Sequence, residues 1–459
     1  MISIDSALSA NSLGPDLDRF WLHSGNKLRL IARDYDESKG APVFTAAGKY
    51  TSRGWTEWTQ GFQFGSALLQ YDATGETEFL EYGRTQTLNR MAPHISHFGV
   101  HDHGFNNCST YGNLHRLLVE GRIPHNGWEL ATYELALKLS GAVQGRRWTS
   151  LPQGGFMYSF NGPHSLFVDT IRTCRVLFYS HLLGHQSREE NDRPVCLATR
   201  ALQHVMATAR YAVYYGEGRD VYDVRGRVAH ESVFNTNDGA YRCPNSQQGY
   251  SAFSTWTRGL AWAMLGFAET LEILPLLGEA VFEPLGGRNS VVESCLRAAQ
   301  ATCDFYTQNT SPCGIPYWDT GAPGLVHLGD YLNRPADPYN NFEPVDSSAA
   351  AIAAQGLLRL GKYLGVNSQL GERYWQAGLT VAKTLLGEPY ISTDPDHQGL
   401  LLHTVYHRPN GWDYIPPGAT VPRGEACQWG DYHVRELALY LCREATGGSY
   451  YSYFSAFSK

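Results

Sequence analysis

Charge is what this 459-residue chain has little of: 18% of its residues are Asp, Glu, Lys or Arg, and 37 basic against 44 acidic residues leave a formal net charge of −7. An acidic surface does not attract nucleic acid or an anionic bilayer at long range, so neither is expected as a partner. Cysteine is sparse and unpatterned, nine residues with no CxxC pair, which reads as reduced thiols in a cytoplasmic protein without structural zinc. No glycine-rich phosphate loop and no GxSxG elbow occur, which weakens nucleotide-binding and acyl-transfer readings. The opening stretch MISIDSALSANSLGPDLDRF lacks the basic and apolar regions of a secretory signal. No apolar run is expected to reach bilayer length. Nor does a Ser- or Pro-rich linker divide the chain; residues 1–459 are expected to form one domain, with 1–50 as an N-terminal extension or first helix region. No motif fixes a monomer or a homo-oligomer.

Aromatic residues are abundant instead, 13% of the chain with 11 Trp, 28 Tyr and 19 Phe, alongside 47 Gly. That balance suits an enclosed cleft that stacks on flat ligand faces, although packed cores use the same residues. Apolar periodicity of 3.6 predicts helices at about 61–73, 76–91, 110–120, 127–142, 165–183, 195–214, 254–274, 289–307, 346–364, 369–387 and 431–446. Strand-like alternation is limited to pieces such as LLHTVYH near 401. Helices apolar on several faces, such as 254–274, alternate with half-solvated ones such as 369–387, where Glu372, Arg373, Gln376 and Lys383 interleave with Leu379, Val381 and Leu385. The pattern predicts an all-α toroid of about six helical hairpins. Functional loops should gather where the inner helices begin.

Acid–base chemistry on a sugar needs two carboxylates in different surroundings facing one pocket. Asp102 lies in GVHDHGFNN and Asp169 in HSLFVDTIRTCRVLFYS, among Phe167, Val168 and Ile171. Apolar burial is expected to raise the Asp169 carboxyl; a helix cap, or a pair with Arg172 one turn on, is the plainer alternative. Arg258 and Trp262, four apart in STWTRGLAWAMLGF, offer a carboxylate-binding fork and an aromatic platform, unless the arginine has a structural acid partner. Gln248 and Tyr250 precede that helix, and His230 in VAHESVF either touches a ligand or satisfies a core contact. Asp346 opens DSSAAAIAAQGLLRL as a helix cap or faces the cleft. A metal at His101, Asp102 and His103 is disfavoured, because adjacent residues rarely point at one ion and no second ligand cluster is near in sequence.

The motifs GWTEWTQGFQFGSALLQYDATGETEFLEYGR, HDHGF, FVDTIRT, QGYSAFSTWTRGLAWAMLGFAE, PYWDTGAP, DSSAAAIAAQGLLRLGKYL and WGDYHVREL resemble, in order and approximate spacing from about 54 to 446, the unsaturated glucuronyl hydrolases of glycoside hydrolase family 88. The resemblance extends more distantly to unsaturated rhamnogalacturonyl hydrolases. It implies an (α/α)6 barrel and an exo-acting enzyme; no cofactor and no metal are expected from the residues. Such an enzyme removes a 4,5-unsaturated uronic acid from the non-reducing end of lyase-generated oligosaccharides. By motif position it implies Asp169 as general acid and base and Asp102 as the second aspartate. Trp55 or Trp58, His101, His230, Gln248, Arg258 and Trp262 would hold the uronate. The chain departs from the family pattern at Arg172, Thr173 and Arg175, and in the long segment after HDHGF with His115, Arg116 and His125; these are expected near the cleft. Hydrolysis of a saturated glucuronide by the same pair, and sugar binding without turnover, are the alternatives.

Overall fold

Six helices that are apolar on most of their circumference surround one axis, each backed by a more polar helix. The computed structural model describes residues 1–53 and 57–457. Among them the inner ring runs through Gln60–Thr74, the segment His103–Asn107 with its continuation to Val119, Thr170–Thr173 with Arg175–Leu182, Thr257–Ile273, Ser347–Leu364 and Gln428–Ala445. Each packs on the next, and Gln428–Ala445 closes the ring against Gln60–Thr74. Outer helices Gly14–Asp34, Thr77–Arg90, Gly127–Gly145, Leu197–Tyr211, Arg288–Gln308 and Gln369–Leu385 alternate with them along the chain. The result is the (α/α)6 barrel that the periodicity predicts. One hydrophobic core extends from Ile2 to Phe454.

Backbones approach closely where the inner helices start, and glycine permits it. A Cβ on Gly104 would lie 2.3 Å from the Thr173 carbonyl oxygen, and one on Gly61 2.4 Å from that of Asn106. Gly104, of the HDHGF motif, therefore lets the helix behind Asp102 rest directly on the helix behind Asp169.

Three expectations change. The predicted helix at 165–183 is broken: Ser165–Phe167 is a strand, paired antiparallel with Glu231–Phe234, which in turn pairs with Tyr241–Asn245. Period-2 and period-3.6 patterns cannot be told apart in so short an apolar run. The piece near 401 makes only an isolated bridge between Ile391 and Leu401, while short strands form at 44–51, 148–157 and 187–195. Finally, Thr257–Leu276 is long and apolar enough to cross a membrane by length and composition, with a mean hydropathy of 1.3; 83% of that window is buried as an inner barrel helix.

Candidate active site

The starts of the inner helices enclose a cavity of about 420 Å³ lined by Trp58, His101, Asp102, Asp169, Gln248, Arg258 and Trp262, seven of the residues singled out in the sequence. Trp55 lies outside the described residues. Both aspartates occupy N-cap positions, Asp102 before His103–Asn107 and Asp169 before Thr170–Thr173, and neither side chain makes a capping hydrogen bond. Asp346 does cap: its Oδ1 accepts from the Ser348 and Ala349 amides at 3.0 and 3.4 Å. Ordinary capping thus explains Asp346 and leaves the other two carboxylates for the cavity.

Between them stands His101. Its Nε2 is 3.9 Å from Asp102 Oδ1 and 3.7 Å from Asp169 Oδ2. The ring is 2% exposed, stacked on Phe160 and edge-on to Phe167. Burial disfavours its charged form, but the two carboxylates outweigh burial and raise His101 above its ordinary value. Burial raises Asp102, with Asp169 adding like-charge repulsion against the pull of His101. Burial acts the same way on Asp169, yet His101, with His230 behind, brings that carboxyl below its usual range. The expectation that Asp169 is the raised carboxyl is therefore reversed in the free chain: an imidazole beside it, invisible in the local sequence, outweighs its apolar neighbours. Its feared partner Arg172 pairs elsewhere.

Arg258 is not a free fork. Its Nη1 donates to Asp346 Oδ2 at 3.0 Å and to the Val405 carbonyl, and its Nη2 to Gln248 Oε1 and the Tyr406 carbonyl, both at 2.9 Å. The guanidinium lies over Trp256 and Trp429. Four committed N–H groups make it the organiser of the wall: it locks the Gln248 amide so that Oε1 faces the guanidinium and the NH₂ end is the donor left for the cavity. His230 lies behind the wall, its Nδ1 accepting from the Gln247 and Gln248 amides at 3.0 and 3.4 Å. Packed on Phe167 and Trp256, it shapes the site without lining it; desolvation lowers it to about 4. Trp58 stacks on Trp429, their centroids 5.0 Å apart, and Trp262 meets Phe105 and His433, each at 4.9 Å.

Sequence reasoning missed Phe160, Trp256, Tyr406, His407, Asn410 and Trp412, which also line the cavity. The cluster YHRPNGW carried a signal, aromatic and polar residues around Pro and Gly, that a strand reading concealed. Conversely, Tyr250 is 51% exposed and outside the lining. Arg172 and Arg175 are buried in the barrel interior with Glu269, Glu436 and Tyr453, because two inner helices supply acids there. His115 pairs with Tyr179, Arg116 with Asp72 and Glu120, and His125 is exposed. None of these lines the cavity. His103 is structural: its ring nitrogens meet Ser140 Oγ at 2.9 Å and the His97 carbonyl at 3.0 Å.

Over 436 residues the chain is 26% identical to the unsaturated glucuronyl hydrolase of Bacillus sp. (strain GL1), an alignment covering 92% of this chain and 97% of that protein. It is 24% identical over 393 residues to the unsaturated chondroitin disaccharide hydrolase of Streptococcus agalactiae serotype III, covering 84% and 81% of the two chains. The crystal structure of the Bacillus sp. GL1 enzyme matches this fold with a TM-score of 0.65 at 21% identity, over 92% of this chain and 96% of that one. An unsaturated glucuronyl hydrolase specific for heparin matches with a TM-score of 0.70 at 17% identity, over 94% and 98%. No protein-family profile matches the chain. These relatives are glycoside hydrolases, and an (α/α)6 barrel whose inner helix starts present paired carboxylates to an aromatic cavity fits that class. Within that class, the likeness over nearly the full length is to unsaturated glucuronyl hydrolases, the group that the sequence motifs resemble.

Proposed function

We propose that the chain releases a 4,5-unsaturated uronic acid from the non-reducing end of lyase-generated oligosaccharides. The observation that carries this reading is the pair Asp102 and Asp169, buried in one cavity on either side of His101. In the proposed reaction Asp169 protonates C4 of the vinyl ether, and water adds at C5 as Asp169 takes back a proton. The hemiketal so formed opens and releases the remaining sugar. Asp102, close by, holds the water and the developing positive charge. An incoming uronate carboxylate repels the Asp169 charge and favours its protonated form. His101, raised by the same carboxylates, is the nearest proton source, and the 3.7 Å gap is one that substrate can tighten. Gln248, oriented by Arg258, and the faces of Trp58 and Trp262 are proposed to hold the uronate ring.

Nine unpaired thiols support placing this activity in a reducing compartment. The test is loss of the unsaturated ring's ultraviolet absorbance on incubation with lyase-made disaccharides from several polysaccharides. Absorbance should fall with wild type and stay constant with Asp169→Asn, which keeps shape and loses the proton. No fall on any digest, or release of saturated glucuronic acid instead, would refute the reading.

A further inference from the structure

We propose that His101, Asp102 and Asp169 form a divalent-cation site that takes Zn²⁺ as an inhibitor competing with the sugar. The sequence argues against a metal because adjacent residues seldom face one point and no further ligand is near. The fold removes both objections. His101 and Asp102 immediately precede the helix His103–Asn107, and Asp169 immediately precedes the neighbouring inner helix, so the three side chains meet at one point. One donor atom from each of the three residues lies within 4.8 Å of the other two, and all three residues are buried.

A second observation points to a ligand. Neither nitrogen of the buried His101 ring makes a hydrogen bond, and Asp169 Oδ1 is also without one. Unmet donors and acceptors of this kind are costly in a buried site, and an ion with its water would satisfy them. Zinc held at about 2.0–2.2 Å by N and O ligands keeps neighbouring donors roughly 3–3.5 Å apart. Two of the three separations here, 3.7 and 3.9 Å, need only small carboxylate rotations to reach that spacing. Two carboxylates with a neutral imidazole balance a divalent charge, and the mixed N and O set favours Zn²⁺ over Mg²⁺ or Ca²⁺, which prefer oxygen alone. The open cavity supplies the remaining positions with water. Competition with the sugar rests on the proposed function, because the ion ties up the carboxyl that would deliver the proton; ion binding itself does not.

The experiment is calorimetric titration of the full chain with Zn²⁺, paired with visible spectra of the Co²⁺ form and the ultraviolet assay. One ion per chain is expected, with d–d bands and no thiolate charge-transfer band, and with competitive inhibition. Binding should vanish in Asp102→Asn and in Asp169→Asn, with His101→Gln as a further variant and circular-dichroism melts to verify folding. Unchanged stoichiometry in folded variants overturns the proposal. So does a thiolate band, which would place the ion at a cysteine such as Cys196 beside His181. Binding that depends on the triad in a chain that hydrolyses no unsaturated sugar would leave the ion site standing and remove the functional reading. Hydrolysis with binding that ignores the variants would do the reverse.

Discussion

Gly104→Ala tests how the barrel brings its two aspartates together. The added Cβ would sit 2.3 Å from the Thr173 carbonyl oxygen and 2.5 Å from the Thr173 Cα, both backbone atoms, whereas Cβ contacts under 3.0 Å essentially never occur. The two helix starts must part by about 0.7 Å or more, and overpacking of this kind costs about 1–3 kcal/mol. Asp102 lies two residues before Gly104, and Asp169 four before Thr173. The same displacement therefore opens the 3.7 Å contact between His101 and Asp169. A misplacement near 1 Å in a catalytic constellation costs on the order of a hundredfold in rate. The expected result is a lowered denaturation midpoint together with a loss of about one to two orders of magnitude in kcat/KM. Gly127→Ala is the control, since Gly127 opens an outer helix and an added methyl there would have nothing within 4 Å; it should be neutral or slightly stabilising. Wild-type kcat/KM and midpoint in Gly104→Ala would refute the claim that this contact sets the aspartate geometry.

Three further outcomes follow from other parts of the barrel. Glu436→Gln removes the charge that Arg172 meets at 2.9 Å and Arg175 at 3.6 Å. Uncompensated buried arginine should cost about 3–5 kcal/mol in urea unfolding, and a loss under about 1 kcal/mol would show that Glu269 alone suffices. Buried His103 and His230 are lowered to about 4, and His204 and His433 to about 3. Their folded values lie below the unfolded one near 6.5, so their neutral forms contribute stability above that pH and lose it as the unfolded chain takes up protons. Each costs up to about 1.4 kcal/mol per pH unit below 6.5, so melting temperature should fall between pH 7 and pH 5.5; a flat profile there would contradict the burial argument. Asp102→Asn should cut turnover while the melting curve stays close to wild type, because the Asp102 side chain caps nothing; a large drop in stability with activity retained would make it structural.

The barrel was legible because long amphipathic helices repeat their signal over several turns: ten of the predicted helices fall on observed ones, among them 76–91 on Thr77–Arg90 and 346–364 on Ser347–Leu364. The segment at 165–183 failed because three residues of sheet pairing, decided by Glu231–Phe234 far along the chain, override local periodicity. The aspartates were legible by their surroundings, but their protonation was not, since His101 reaches Asp169 from a loop distant in sequence. Arg258 shows the same limit from the other side. Its position on the helix was readable, whereas the partners that occupy its N–H groups come from Gln248, Asp346 and the 405–406 loop.

That occupancy changes how a negative ring can be held in an acidic protein. With four of the Arg258 N–H groups already satisfied, the guanidinium contributes field rather than direct hydrogen bonds, and the bonds fall to the Gln248 amide that it orients. The inner helices also begin at the cavity, so their amide ends add partial positive charge there. The net charge of −7 is thus no obstacle: short-range dipoles, the Arg258–Asp346 pair and His101 govern the cavity, while the surface charge is screened within about 8 Å at physiological salt. Binding governed this way depends weakly on ionic strength, because its cationic and dipolar partners are buried. A steep loss of affinity for an unsaturated uronide between low and physiological salt would instead mean that basic residues on the solvent-exposed surface do the capturing.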